Sequence, residues 1–207
     1  MSHRNGLHHR FLAWFMARGG GNYASFVEGR KRHLLAGLSG TVVEIGSGTG
    51  PNLQYLPAHL RVVGIEPNPF MHKHFLKEAQ ARGGSAYLIQ GLAENLPFPD
   101  GTVDAVLSTL VLCSVPDLQL VLAEVIRVLK PGGKFLFLEH VAAREDTPLR
   151  RVQGILQPLW GLVGDGCQLN RSTGEELENA GFRRVRIDRF RVPLPLVSPH
   201  IAGTAEK

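Results

Sequence analysis

From Thr41 onward two rhythms alternate along the chain. Short apolar runs alternate with longer stretches in which apolar residues return every three or four positions. The first rhythm predicts strands at Thr41–Ile45, Arg61–Ile65, Ala86–Gln90, Val103–Thr109 and Lys134–Glu139. The second predicts helices at Pro69–Arg82, ended by Gly83 and Gly84, and at Leu118–Leu129, which stops before Lys130-Pro131-Gly132-Gly133. A third helix is expected at Leu149–Leu162. A fourth is opened by Ser172 and Glu175 in capping-box spacing and closed at Gly181. Phe182–Phe190 and Ile201–Ala205 read as the last strands, joined by a proline-rich loop at 191–199. Strand and helix in alternation predict an α/β fold, a doubly wound, seven-stranded, mostly parallel sheet covered on both faces. The expected organisation is one domain at 41–207, interrupted by an insertion at 142–171 and preceded by a leader at 1–40.

Charge singles out the leader. The chain carries a formal net charge of +5 over 207 residues. Arg4, Arg10, Arg18, Arg30, Lys31 and Arg32 stand against Glu28 alone in the first forty, and the rest balances. Leu7, Phe11, Trp14 and Phe15 recur between these charges at helical spacing, which fits an amphipathic helix better than a nucleic-acid arm. The favoured placement is over the substrate pocket with the apolar stripe inward; peripheral membrane contact is the second. Arg183, Arg184, Arg186, Arg189 and Arg191 alternate on a late strand and read as a solvated face, so no nucleic-acid partner is expected. No apolar run reaches the roughly 18 residues of a membrane span. Cys113 and Cys167 are too few for a disulfide scaffold or a four-cysteine zinc site, and each reads as a small buried hydrophobe in a cytoplasmic protein. His8, His9, His72 and His74 lack carboxylates at ligand spacing, so no metal is expected.

The chemistry lies where the first strand turns. Val42-Val43-Glu44-Ile45-Gly46-Ser47-Gly48-Thr49-Gly50 puts three glycines where backbone must approach a ligand with no Cβ between, and Val62-Val63-Gly64-Ile65-Glu66 ends the next strand in a carboxylate. The spacing differs from the G-x-G-x-x-G of dinucleotide sites. It resembles motif I of the class I S-adenosylmethionine-dependent methyltransferases, with Glu44 as the acid that braces the loop. Two further tracts strengthen the resemblance: Gly91 to Asp104, and Leu129-Lys130-Pro131-Gly132-Gly133-Lys134. It implies that S-adenosylmethionine is the cofactor and that Glu44, Gly46, Gly48, Gly50, Glu66, Ala93, Glu94 and Thr109 are the cofactor-binding residues. Glu66 would serve the ribose hydroxyls, and Ala93 and Glu94 the adenine edge. It also implies a last strand antiparallel to the rest.

Four tracts narrow the resemblance to the methyltransferase-like-seven group, whose animal members are alkyl-thiol S-methyltransferases. They are Leu110 to Val115, Glu139-His140-Val141, Gly164-Asp165-Gly166-Cys167 and Pro199 to Gly203. The animal proteins carry an N-terminal hydrophobic membrane anchor where this chain has the basic amphipathic leader. The reaction implied is methyl transfer to a small, rather apolar acceptor, with a thiol favoured over a quinone or phenol ring, an amine lipid, or a purely regulatory cofactor-binding role. Because ligands of such sheets bind beyond the carboxyl ends of the strands, His140 and His200 are expected at one mouth as candidate general bases. Asp165, between two glycines, is the third candidate catalytic residue. Trp160 falls in the insertion, where it would pack, touch substrate, or both.

Overall fold

The computed structural model describes residues 6–17 and 21–207. Arg4 and Arg18 lie outside them, as does the Phe15 side chain. Two helices, α1 (Gly6–Ala17) and α2 (Gly21–Leu35), precede the sheet. Seven strands then follow: β1 (Thr41–Ile45), β2 (Arg61–Ile65), β3 (Ala86–Ile89), β4 (Val103–Thr109), β5 (Leu129–His140), β6 (Arg184–Arg191) and β7 (Pro199–Glu206). The connecting helices are α3 (Pro69–Arg82), α4 (Leu118–Val128), α5 (Pro148–Val163) and α6 (Thr173–Asn179).

The strands lie in the order β3-β2-β1-β4-β5-β7-β6. The pairs β1–β2, β2–β3, β1–β4 and β4–β5 are parallel, and β7 runs antiparallel to both β5 and β6. Side chains alternate across the pleat and divide the core in two. Val43, Ile45, Val106, Phe135 and Phe137 meet Val121 and Val125 of α4 and Leu177 of α6. Val42, Val62, Leu107 and Leu136 face the other way, toward Leu35 of α2 and Phe75 of α3. Full burial of a side chain such as Phe135 or Phe75 is worth about 2–3 kcal/mol. The arginines of β6 lie on the sheet edge, where charge discourages pairing with another strand.

Three local expectations need correction. Lys130 to Gly133 does not separate helix from strand: β5 already begins at Leu129. The ladder with β4 jumps from Val103↔Leu129 to Ala105↔Lys134, so the proline and glycines loop out as a bulge. The capping box at Ser172 is not made, because its ψ of 54° leaves the side chain without a cap bond. The stripe on α1 faces outward: Leu7 is 77% exposed, and Phe11 and Trp14 are also exposed, while Ala13 is buried. Helix α1 does lie across the glycine turn. His9 carbonyl accepts from Asn68 Nδ2 at 3.1 Å, and a Cβ built on Gly48 would sit 3.7 Å from Met16 Cε.

Candidate functional site

The strand order reverses between β1 and β4, and the crevice beyond their carboxyl ends is the natural ligand position in such sheets. Gly46, Gly48 and Gly50 all have positive φ (57°, 54° and 83°). The reasons differ. A Cβ on Gly46 would lie 2.5 Å from Val111 Cγ2, so this glycine lets the loop after β4 pack against the turn. A Cβ on Gly48 would meet only Met16 Cε at 3.7 Å and the Gly46 carbonyl at 3.9 Å, so there the positive φ and not crowding requires glycine.

Carboxylates hold the turn from both sides. Glu66 is buried, and its two oxygens accept the backbone N–H groups of Gly48 and Asn68, each at 2.8 Å. Burial pushes its acidity toward the neutral form, against those two bonds. Glu44 is wholly buried at the end of β1 and accepts from Asn52 Nδ2 at 2.6 Å; the same amide nitrogen donates to Thr109 Oγ1 at 3.0 Å. Burial raises Glu44 to about 7, opposed by the Asn52 bond and the charge of Lys31.

Several buried polar atoms around the turn have no partner among the described residues: Glu44 Oε2, Ser47 Oγ, Asn52 Oδ1 and Glu94 Oε1. Buried polar groups are rarely left so. Unpaired acceptors and hydroxyls around an open glycine backbone fit a ligand rich in hydroxyl and amino groups, such as an aminoacyl nucleoside. Ala93 is buried beside Glu94.

A second cluster lies at the ends of β4, β5 and β7. His140 and His200 are register partners across β5 and β7, with ring centroids 6.3 Å apart. The Ser198 carbonyl lies 3.3 Å from His200 Nδ1, which fixes the proton there and leaves Nε2 to accept from the Tyr23 hydroxyl at 3.2 Å. Burial lowers His200 to about 4, so the ring is neutral at physiological pH, and burial keeps the Tyr23 phenol protonated. His140 Nε2 lies 3.0 Å from Cys167 Sγ, which also accepts from Trp160 Nε1 at 3.3 Å. These donors and the Cys113 thiol make Cys167 the more acidic of the two cysteines. Glu139 is turned inward: it accepts from Ser108 Oγ at 2.6 Å and from the amides of Val111 and Leu112, each at 3.2 Å. Those bonds hold the loop after β4, where Leu110 takes a φ of 57°.

His140 and His200 thus meet as expected, but Asp165 does not join them. At a φ of 52° it points toward α1, with Oδ1 3.8 Å from His9 Nε2, and it lies close enough to Glu66 for its charge to help raise that group's pKa. Trp160 reaches the cluster through its indole. Phe75 is core, Phe70 lies under Arg10, and His72 is half-buried with Nε2 3.2 Å from the Glu66 carbonyl rather than solvated. Sequence reasoning missed Asn52, Ser47, Glu139 and Tyr23. Glu139 left a sign, an acid ending the apolar run Phe135-Leu136-Phe137-Leu138; Tyr23 left none. A cleft of about 1270 Å³ lined by Arg30, Asp104, Lys134 and Arg186 lies at the opposite, amino ends of β4 and β5, away from every residue of the site.

Residues 43–137 match a methyltransferase domain family. Thiol S-methyltransferase TMT1A of Homo sapiens is 38% identical over 211 aligned residues, covering 96% of this chain and 86% of that protein. Thiol S-methyltransferase TMT1B of Homo sapiens is 40% identical over 195, covering 87% and 80%. This chain is an S-adenosylmethionine-dependent methyltransferase of the TMT1 family. Among solved structures, a methyltransferase from Thermotoga maritima described as a possible histamine N-methyltransferase superposes with a TM-score of 0.65 at 22% identity, covering 95% of this chain and 94% of its own. A putative methyltransferase from Bacillus halodurans superposes at 0.68 with 18% identity, covering 86% and 97%. At those identities the likeness is one of fold. The glycine turn, its carboxylates and the unpaired atoms around it lie at the carboxyl end of β1, beside the reversal of strand order.

Proposed function

We propose that this methyltransferase transfers a methyl group to the sulfur of a small, apolar thiol. The activity named for the TMT1 relatives supports the reading, because they align with most of the chain. The observation that carries it is the wall of the mouth: two imidazoles and two thiols, buried together, with Glu139 turned away into its own bonds. A buried, water-poor wall suits an acceptor that is apolar and ionises at its sulfur.

When bound, the cofactor supplies a methyl group made electrophilic by its sulfonium. Gly46, Gly48 and Gly50 give it backbone to lie against. A carboxylate has about four acceptor positions, so Glu66, with two occupied, keeps two for the ribose hydroxyls. Glu44 braces the turn through Asn52, which carries Thr109 with it. Ala93 and Glu94 serve the adenine edge. His140, His200 and Tyr23 wall the acceptor: His200 and Tyr23 stay neutral and exclude water, which strengthens attack by an anionic sulfur on a cationic donor. A thiol of ordinary acidity, near pKa 8.5, needs only modest help to ionise. Asp165 acts through His9 to keep α1 across the crevice.

Labelled methyl transfer to short alkyl thiols, phenols or quinols, and amines tests the reading in one assay. Thiols should be the preferred acceptors; activity confined to phenols, quinols or amines would overturn it.

The mouth also carries two exposed apolar stripes. Besides that of α1, Val152, Ile155, Leu159 and Leu162 line one side of α5 and are all exposed, with Arg150 and Arg151 adjoining. No described helix is long and apolar enough to cross a membrane. Stripes of this kind, flanked by arginines, suit a protein that rests on an anionic lipid surface from the cytoplasmic side, where apolar thiols partition. Sedimentation with anionic vesicles tests this. Wild type should pellet and Ile155→Ser/Leu159→Ser should stay in solution; equal behaviour would reject the contact.

A further inference from the structure

The proposed reaction calls for a group that holds the acceptor sulfur as an anion. Cys113, His140 and Cys167 bring two sulfurs and one imidazole nitrogen within 4.8 Å of one another, from the loop after β4, the end of β5 and the turn after α5. We infer that these three side chains form a binding site for a zinc ion, with a fourth position open to the acceptor thiol. This rests on the thiol-methylation reading for its purpose but not for its geometry.

The donor set suits the ion. Zinc favours thiolate and imidazole ligands in a tetrahedron, and catalytic sites combine three protein ligands with one open position. Bonds of about 2.3 Å to sulfur and 2.0 Å to nitrogen place tetrahedral donors roughly 3.5–3.8 Å apart. The present His140 Nε2 to Cys167 Sγ separation of 3.0 Å needs only a small opening.

The backbone around both thiols is already fixed. Glu139 holds the amides of Val111 and Leu112 just before Cys113. The amide of Gln168, next to Cys167, donates to the Cys113 carbonyl at 2.8 Å, and Gln157 Nε2 donates to the Cys167 carbonyl at 3.2 Å. The Trp160 N–H toward Cys167 Sγ is the outer-shell bond that steadies a metal thiolate. The cluster borders the glycine turn, since Val111, which packs on Gly46, stands two residues before Cys113. Both cysteines are free and buried, so neither is committed to a disulfide.

The chemistry balances without redox change. Metal binding displaces protons from the two cysteine thiols, and the acceptor loses its S–H proton to water on taking the fourth position. The acceptor sulfur then forms the new bond to the methyl carbon as that carbon's bond to the sulfonium breaks. The breaking pair goes to the sulfonium sulfur, leaving two neutral thioethers and the ion as it was. With Nε2 on the metal, His140 keeps its proton on Nδ1 and positions rather than deprotonates.

The test uses the full chain, reduced by a phosphine under anaerobic conditions and titrated with Co²⁺ and with Zn²⁺. One ion per chain should bind, with thiolate-to-cobalt charge transfer and the d–d bands of a tetrahedral site. 2-Mercaptoethanol should then strengthen the charge-transfer band. Cys113→Ser and Cys167→Ser should each weaken Zn²⁺ binding beyond the tenfold to hundredfold lost with an outer-shell partner. Circular dichroism checks that the variants fold, and should either fail, the wild-type cobalt spectrum alone decides. Absence of thiolate-to-cobalt charge transfer, or Zn²⁺ affinity unchanged in the folded serine variants, overturns the site. Thiol methylation without such a spectrum removes the metal and leaves the proposed reaction standing. The spectrum without thiol methylation does the reverse.

Discussion

The proposed cofactor end and the proposed acceptor mouth lie side by side beyond the same strands, yet they are built in opposite ways. The cofactor end draws Glu44, Gly46, Gly48, Gly50, Asn52 and Glu66 from one β-turn-β passage, and much of what it offers is backbone. The mouth draws Tyr23, Cys113, His140, Cys167 and His200 from five separate segments and offers side chains. A ligand common to a whole family can be met by a compact turn. An acceptor must be met by whatever the fold brings together, so it can change while the cofactor end stays as it is.

That contrast can be broken by experiment. Gly46→Ala should have the largest effect. A side chain at φ 57°, driven into Val111, combines left-handed strain with overpacking, about 2–4 kcal/mol of stability by urea unfolding, and should abolish measurable cofactor binding. A well-folded variant with ordinary affinity would mean the turn is not the cofactor end.

Next is pH. His200 titrates near 4 when folded and near 6.5 when unfolded, so between these values the unfolded chain holds the extra proton. Its contribution is therefore present above pH 6.5 and lost as pH falls toward 4, up to about 3 kcal/mol. Glu44 and Glu139, both raised to about 7 by burial, act the other way, because the folded chain binds their protons first. The difference in stability between wild type and His200→Asn isolates the histidine and should shift in favour of the variant on acidification. A pH-independent difference would mean the ring is not buried neutral.

Glu66→Gln should weaken cofactor binding by roughly tenfold to a hundredfold in calorimetry, the worth of a charge-assisted bond, while leaving kcat near wild type at saturating cofactor. Tyr23→Phe should show the mirror image and the smallest effect. It removes one neutral hydrogen bond to His200, worth about 1 kcal/mol, so kcat/KM for a thiol should fall about fivefold to tenfold with cofactor affinity unchanged. If both variants moved cofactor affinity alike, the two regions would be one.

The glycine turn and its carboxylates were legible in the sequence because they are local. A glycine required by positive φ and an acid at a strand end are visible where they stand, and β1, β2, α3 and β4 matched their expected bounds. The mouth was legible only in part. The histidines could be placed through strand direction, whereas nothing in Gly164-Asp165-Gly166 told that Asp165 meets α1. The cysteines read correctly as buried, but nothing in their spacing tells that His140 lies between their segments.

The sequence by itself determined the layered sheet, the position of its reversal and the glycine turn, because hydrophobic period and backbone freedom act over a few residues. Only tertiary structure decided which way α1 turns its stripe, which carboxylates turn inward and that two thiols and an imidazole gather within 4.8 Å of one another. Those outcomes depend on burial and on partners more than twenty residues away, and no short-range pattern records them.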